Sequence, residues 1–238
     1  MNALAALRTK IFGDGADLPT IAELARLPYI RGFTTNPTLM RKAGVRDYAS
    51  FAREAIAAVD GRPISFEVLS DDFAEMERQA RTIASWGGNV YVKIPITNTR
   101  REPSSDLIRR LSRDGVKVNV TGVLTLEQVD SASEALRGGA PANISFFAGR
   151  VADTGRDPVP LVTCALRMLE PLPLVELIWA SPRELLNIFQ ASELGCPIIT
   201  VTNDILKKLT LVGKDLNDFS AETVQMFVDD ARGAGYTL

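Results

Sequence analysis

Short apolar segments rich in β-branched residues recur along the chain about every 25 to 30 residues, and stretches of helical periodicity separate them. The candidate strands are residues 9 to 14, 32 to 35, 63 to 69, 89 to 95, 116 to 121, 142 to 147, 173 to 180 and 197 to 201. Such alternation is typical of repeated β-α units and a parallel sheet. Eight units in about 200 residues predict an α/β protein built as a single (β/α)8 barrel, the TIM-barrel fold. A doubly wound open sheet is the alternative, although no Gly-x-Gly-x-x-Gly motif follows the first strand.

The stretches between the strands carry helix signals. Residues 71 to 86 have an apolar stripe that would cover the outer face of the sheet, formed by Phe73, Met76, Ala80 and Ile83. Pro19 and Pro182 stand where first helical turns are expected to begin, and Gly115 and Gly195 where helices are expected to end. Residues 203 to 238 are expected to hold the eighth helix and one extra C-terminal helix near residues 221 to 232.

The composition fits one globular domain that spans residues 1 to 238. Hydrophobic residues make up 46% of the chain and charged residues 24%, and a net charge of −2 without a basic patch argues against nucleic acid or a membrane as partner. The opening residues lack a secretory apolar core, and no apolar stretch reaches the roughly 18 residues of a membrane span, so we expect a cytoplasmic protein. Cys164 and Cys196 lie in apolar surroundings without metal-ligand spacing and are expected to be reduced.

The sequence contains no histidine. This absence excludes Ser-His and Cys-His nucleophile systems and the common zinc sites with histidine ligands. We expect neither a metal nor an organic cofactor. Carbonyl chemistry in this chain must therefore use lysine and carboxylates.

A single lysine, Lys93, interrupts the apolar run of residues 89 to 96, which is short enough to be a buried strand. Burial away from water disfavours an ammonium group relative to the neutral amine, and a neutral amine can attack a carbonyl and form a Schiff base. The structural alternative is a lysine that reaches outward to solvent or pairs with an acid.

Polar residues stand near the C-terminal ends of six candidate strands, where barrel enzymes carry their catalytic side chains. They are Asp14, Asn36, Glu67, Lys93, Asn119, Thr121 and Ser145. On strands three to five they alternate with apolar residues, and a period of two points the polar set into the barrel. Plainer alternatives exist: Asp14 as a turn or cap residue, Asn36 as a turn residue before proline, and Thr121 as strand filler. Their coincidence at matching strand positions favours a site.

Five short motifs in this chain resemble those of the transaldolases and their relatives, the fructose 6-phosphate aldolases. The motifs occupy residues Thr34 to Leu39, Val92 to Pro95, Asn119 to Thr121, Ser145 to Arg150 and Ala180 to Arg183. They occur in the family's order and cover most of the chain, and the chain length resembles the small branch of the family.

The resemblance implies a mechanism and a set of site residues. Lys93 would form an imine with the C2 carbonyl of a ketose phosphate, which lets the bond between C3 and C4 break. Asp14 would accept the C4 hydroxyl proton, and Glu67 with Thr121 would move protons through a water during imine formation. The residues implied to bind the sugar are Thr34, Asn36, Asn119, Ser145 and Phe147.

The resemblance also implies a phosphate site. Arg150 and Arg183, together with Ser181, lie just past strands six and seven, and the planar guanidinium fork can hold two phosphate oxygens. The alternative for each arginine is a surface ion pair of little energetic value.

Two sequence positions distinguish transaldolases from fructose 6-phosphate aldolases. Transaldolases have Glu on the third strand and Phe in the sixth-strand motif, where fructose 6-phosphate aldolases tend to have Gln and Tyr; this chain has Glu67 and Phe147. Without a phenol beside the imine, transfer to a second sugar is expected to exceed release of free dihydroxyacetone. The implied function is a transaldolase that moves a dihydroxyacetone unit between sugar phosphates. The alternatives are a fructose 6-phosphate aldolase and a barrel that only binds or senses sugar phosphates.

The match has three departures, Gly15, Gly122 and Phe146, where the family usually has larger residues or proline. The two glycines hint at an enlarged pocket and an acceptor other than erythrose 4-phosphate. The expected partners are sugar phosphate substrates and further copies of the chain, since barrels of this family commonly self-associate. The pentose phosphate pathway and a specialised biosynthetic route both stay open.

Overall fold

A computed structural model of the protein describes residues 6 to 237, in which eight parallel strands close into a barrel. Each strand pairs with the next in chain order, and the eighth pairs with the first. The strands are β1 Lys10–Asp14, β2 Ile30–Thr34, β3 Ile64–Glu67, β4 Val90–Pro95, β5 Val118–Val123, β6 Ala142–Phe146, β7 Val175–Trp179 and β8 Ile198–Thr202. The predicted barrel is confirmed, and each strand end lies within two residues of its predicted place.

Helices follow the strands along the chain, and most of the longer ones pack on the outside of the barrel. They are α1 Leu18–Ala25, α2 Pro37–Lys42, α3 Tyr48–Ala58, α4 Phe73–Ala84, α5 Ser105–Arg113, α6 Leu126–Leu136, α7 Ala148–Ala152, α8 Val159–Leu169, α9 Leu186–Glu193, α10 Asn203–Leu206 and α11 Leu216–Gly233, with a 3-10 helix at Lys207–Leu211. The stripe predicted on α4 is confirmed, because Met76, Ala80 and Ile83 are buried. Gly115 and Gly195 follow the ends of α5 and α9 in the left-handed conformation that favours glycine there.

The apolar core has two parts. The larger part lies between the strands and the helices and contains the outward residues of the strands, among them Phe66, Val92 and Val120. A smaller cluster of Phe12, Ile178, Ala180 and Ile198 fills the barrel itself, with Phe147 against it. Gly32 on β2 faces this inner cluster, because a Cβ built there would lie 2.5 Å from the ring of Phe12. The packed layer closes the barrel below its mouth, as in other barrels of this type.

One expectation about helices needs correction. Pro19 lies in the first turn of α1, but Pro182 does not begin a helix, since α9 starts at Leu186. Ser181 has a φ of 61°, which turns the chain, and the side-chain oxygen of Asn187 accepts hydrogen bonds from the next backbone groups, at Arg183 and Glu184. The eighth helix and the extra C-terminal helix are both present as expected: α10 has four residues and continues as the 3-10 helix, and α11 has 18.

Within residues 6 to 237, no helix combines the length and the apolar character that a bilayer crossing requires. Part of the opening segment, on which the expectation about a secretory signal rested, lies outside the described residues.

Candidate active site

A cavity of about 640 Å³ opens at the mouth of the barrel, at the C-terminal ends of the strands. It brings together eleven of the twelve residues that the sequence placed in the site. These are Asp14, Thr34, Asn36, Glu67, Lys93, Thr121, Ser145, Phe147, Arg150, Ser181 and Arg183. The remaining residue, Asn119, lies beneath the cavity floor.

Lys93 lies on β4 inside the barrel, and its ammonium group has two polar neighbours. Its Nζ is 2.9 Å from Oε2 of Glu67 and donates a hydrogen bond of 2.9 Å to the main-chain oxygen of Thr35. Glu67 is the register partner of Lys93 on β3, so both side chains point to the same face. The lysine side chain is only 7% exposed. The lysine is thus buried inside the barrel, and it is also paired with an acid.

The main chain at Glu67 is held by a side chain that the sequence reasoning missed. Strand β2 pairs with β3 only as far as Ser65, because the chain leaves the sheet after Thr34. The hydroxyl of Tyr48 takes the place of the missing strand: it accepts from Glu67 N at 2.8 Å and donates to Glu67 O at 2.9 Å. Burial raises the pKa of Tyr48, which keeps the donated proton on the phenol.

Asp14 ends β1 at the edge of the cavity. Removal from solvent raises the pKa of this carboxyl above its ordinary value of 3.8, while the charge of Lys93 and a hydrogen bond from Thr34 act in the opposite direction. Thr34 Oγ1 donates to Asp14 Oδ1 at 2.8 Å and is in contact with the hydroxyl of Thr200. Since Thr34 has one proton and gives it to Asp14, Thr200 must donate to Thr34.

Asn119 supports the cavity floor from below. Its side chain is fully buried, its Nδ2 donates to Ser65 Oγ at 3.1 Å, and its Oδ1 accepts from Ser145 Oγ at 2.8 Å. In this arrangement Asn119 orients Ser145, which does line the cavity. Contact of Asn119 itself with a sugar stays a prediction.

Asn36 is both a helix cap and a residue of the cavity wall. Its side-chain oxygen caps α2 by accepting from Leu39 N at 2.9 Å, as expected of a residue before proline at a helix start. Asn36 also lines the cavity. Its amide nitrogen, which the cap does not use, is therefore the atom suited to a ligand hydroxyl.

Gly122 sits in an irregularity of β5. The register with β6 shifts between Val120 and Val123, and Gly122 has a φ of 73°, which favours glycine. The extra residue keeps Thr121 in the cavity wall and Val123 in the outer core. A Cβ at Gly122 or at Gly15 would meet no atom within 4 Å, so both positions leave open space. At Gly122 the backbone conformation is a second reason for glycine.

The arginines lie at the exposed rim. The guanidinium of Arg150 is 5.9 Å from the centre of the Phe147 ring. Arg183 holds the carboxylate of Asp153 through two hydrogen bonds, one from Nε at 2.9 Å and one from Nη2. Asp153 was not among the residues predicted from sequence. A surface ion pair was, however, the alternative predicted for each arginine.

The eighth strand contributes residues that the sequence reasoning also missed. Thr200 and Thr202 on β8, and Asp204 on α10, line the cavity. Thr200 and Thr202 alternate with Ile199 and Val201, and the period of two that identified the polar residues of β3 to β5 would have found them.

Comparison with known proteins identifies the family to which the chain belongs. Residues 11–236 match the model of the family described as Transaldolase/Fructose-6-phosphate aldolase. A "Probable transaldolase" of Thermoanaerobacter sp. (strain X514) is 36% identical over 230 residues, which cover 96% of this chain and 100% of that protein. A "Probable transaldolase" of Dehalococcoides mccartyi and a "Probable transaldolase 2" of Listeria monocytogenes are each 35% identical over 201 residues, 84% of this chain and 89% and 88% of theirs. The chain belongs to the transaldolase/fructose-6-phosphate aldolase family.

Proposed function

We propose that this protein is a transaldolase, which transfers a dihydroxyacetone unit between sugar phosphates through a Schiff base on Lys93. The observation that carries the proposal is the contact of Lys93 Nζ with Glu67 in a cavity that also holds Asp14. One buried amine thus has a proton acceptor at 2.9 Å and a second carboxylate in the same cavity. These are the groups that imine formation and carbon–carbon cleavage require.

Glu67 and Thr121 serve imine formation. The ammonium group of Lys93 gives a proton to Glu67, and the neutral amine attacks the C2 carbonyl of the ketose. The carbinolamine then loses its hydroxyl as water, which needs a proton; Glu67 returns it, with Thr121 placing a water between them. Tyr48 fixes the main chain of Glu67 and so keeps the acid within reach of the lysine.

Asp14 serves the cleavage step. Its carboxylate accepts the C4 hydroxyl proton, the C3–C4 bond breaks, and the electron pair moves into the iminium group to give an enamine and an aldehyde. Attack of the enamine on a second aldehyde forms the new bond, and Asp14 returns its proton to the new alkoxide. A raised pKa makes Asp14 a stronger base than an ordinary aspartate once it is ionised.

The cavity wall favours transfer over simple cleavage. Release of free dihydroxyacetone requires protonation of the enamine carbon, and Phe147 offers no proton. Among the described residues that line the cavity, none is a tyrosine. The enamine therefore waits for an aldose, held by Ser145 and the amide nitrogen of Asn36. The open space at Gly122, which lines the cavity, supports an acceptor other than erythrose 4-phosphate.

Reduction with borohydride in the presence of fructose 6-phosphate tests the proposal. We expect a reduced adduct on Lys93, located by mass spectrometry, and a large increase in turnover when an aldose phosphate acceptor is added. An adduct on another lysine would refute the assignment. Equal turnover with and without acceptor would identify a fructose 6-phosphate aldolase, and binding without any adduct would identify a sensing module.

The proposal includes self-association through α11. No residue of this helix is buried within the described chain, and its exposed apolar side chains are Leu216, Phe219, Val224, Met226, Phe227 and Val228. A helix face of this kind is stable in water when a second copy covers it. Light scattering of the full chain is expected to report more than one copy per particle; a monomer at micromolar concentration would contradict this part of the proposal.

A further inference from the structure

We infer that Asp153 is a positioning residue for the phosphate site, because it holds the guanidinium of Arg183 so that its remaining fork faces the cavity. The inference rests on the proposed function and on the phosphate site that the family resemblance implies, in which Arg150 and Arg183 bind the phosphate of the sugar. It assigns a role to an acidic residue that would otherwise be read as a competitor of the substrate.

The ion pair with Asp153 occupies only one face of the Arg183 guanidinium. Asp153 accepts from Nε and Nη2 of Arg183, which together form the side face of the guanidinium. A guanidinium has five N–H groups, so the end face formed by Nη1 and Nη2 keeps its donors. Arg183 lines the cavity, and this second face can hold two phosphate oxygens while the first holds Asp153.

The main chain is held in place at both Asp153 and Arg183. Gly149 on α7 lies against the turn after β7 so closely that a Cβ there would be 1.5 Å from the main-chain oxygen of Ser181. The same turn is held at Arg183 N by Asn187, at 2.8 Å. Asp153 follows α7 directly and Arg183 follows the turn, so the main chain on both sides of the pair is fixed. The ion pair then removes the remaining freedom of the arginine side chain.

The charges of Asp153, Arg150 and Arg183 remain compatible with phosphate binding. Hydrogen bonds from Arg183 hold the pKa of Asp153 below its ordinary value, and the charge of Arg150 acts in the same direction. Asp153 is therefore ionised at neutral pH and lies in the field of both arginines. The guanidinium groups of Arg150 and Arg183 and the carboxylate of Asp153 together carry a net charge of +1, which still attracts a phosphate dianion.

The pair contributes little to folding, which makes the role testable. The side chains of Arg183 and Asp153 are 47% and 52% exposed, and exposed ion pairs add little stability. Arg137 and Glu134 provide a matched control, because they form a similarly exposed pair, 53% and 54%, away from the residues that line the cavity.

The test compares Asp153→Ala with Glu134→Ala. We expect Asp153→Ala to raise the KM for fructose 6-phosphate about tenfold with kcat within about twofold, and to leave kcat/KM for unphosphorylated fructose unchanged. Asp153→Asn, which keeps one acceptor oxygen, should fall between this variant and the wild type, and Glu134→Ala should match the wild type. In an Arg183→Ala background, Asp153→Ala should add nothing.

The direction in which the KM for fructose 6-phosphate changes decides whether the inference holds. A KM for fructose 6-phosphate that stays constant or falls in Asp153→Ala would show that the carboxylate is idle or competes with phosphate. A loss that persists without Arg183 would show that Asp153 acts through something else. Calorimetric titration with inorganic phosphate separates this from the proposed chemistry: weaker phosphate binding in Asp153→Ala supports the inference even if no adduct forms on Lys93, and unchanged binding overturns it even if the adduct forms.

Discussion

The interior of the barrel holds a lysine–glutamate pair near each end, and the surroundings of the two pairs differ. At the mouth, the side chains of Lys93 and Glu67 are 7% and 17% exposed; at the opposite end, those of Lys10 and Glu176 are 40% and 39% exposed, with Nζ 2.6 Å from Oε1. The inner apolar cluster around Phe12 lies between them. Each lysine thus pairs with a glutamate, but Lys10 is much more accessible to solvent than Lys93.

This difference explains why only one of the pairs is suited to chemistry. Water screens Lys10 and Glu176, so their contact resembles a surface ion pair of small value. Lys93 lies in a cavity beside a second carboxylate and a main-chain oxygen, where charges interact more strongly and a substrate can enter. A lysine–glutamate contact therefore indicates function when it lies in the cavity at the mouth of the barrel and is shielded from water.

The largest expected effect is that of Lys93→Met, which removes the amine and keeps the length of the side chain. We expect kcat to fall at least about 10³-fold, because the covalent route is lost. We also expect the free energy of unfolding to fall by about 1–3 kcal/mol, because the Glu67 carboxylate loses its cation. The double variant Lys93→Met with Glu67→Gln should regain the stability and stay inactive. Full activity of either variant would show that the Lys93–Glu67 pair matters no more for catalysis than the Lys10–Glu176 pair.

The second effect concerns Asp14. We expect Asp14→Asn to lower kcat by about 10²–10³-fold through loss of the proton acceptor. In the wild type, kcat/KM should fall on the acid side at a pH above the ordinary aspartate range, because burial raises the pKa of Asp14. The Asn variant should lack this acid limb. A wild-type profile that stays flat down to pH 4 would exclude Asp14 as the base.

The same group makes a stability prediction with a defined sign. Because the folded-state pKa of Asp14 lies above its unfolded value, the folded protein binds this proton more tightly, and the stability that this gives is lost as pH rises through the raised pKa. Asp14→Asn should therefore be at least as stable as the wild type at pH 7, where the wild type contains a desolvated carboxylate. Thermal unfolding of both proteins at pH 7 would check this.

A smaller effect is expected for Tyr48→Phe. The variant leaves the N–H and the C=O of Glu67 without the hydroxyl that now pairs with both, which should cost about 1–3 kcal/mol of stability. Since Glu67 would move relative to Lys93, kcat should drop several-fold while the KM changes little. Urea unfolding and steady-state kinetics together test the role; a stability loss with unchanged kcat would limit Tyr48 to folding.

The smallest effect is expected for Lys10→Met, the counterpart of Lys93→Met at the other end of the barrel. Its ion pair is half exposed, so the free energy of unfolding should change by no more than about 1 kcal/mol and kcat should stay at the wild-type value. Denaturation and activity assays on Lys93→Met and Lys10→Met, run side by side, measure this difference directly.

Much of the fold was predictable because it depends on local pattern. Alternation along β3 to β5 gave the inward residues, and helical spacing gave α4, since both periods follow from backbone geometry. The start predicted at Pro182 was wrong because the left-handed Ser181 and the side chain of Asn187 compete with a helical turn there. That competition involves contacts that only the folded chain makes.

The sequence by itself determined the barrel, the chemical types at its mouth and the restriction to lysine and carboxylate chemistry, since these follow from periodicity and composition. Only the tertiary structure decided the partners: Glu67 beside Lys93, Tyr48 at the main chain of Glu67, Thr200 behind Thr34, and Asp153 on Arg183. These contacts join residues from different β-α units, and their distances depend on how the strands close into a ring. The linear pattern predicts that a ring forms, but it does not specify which side chains meet across it.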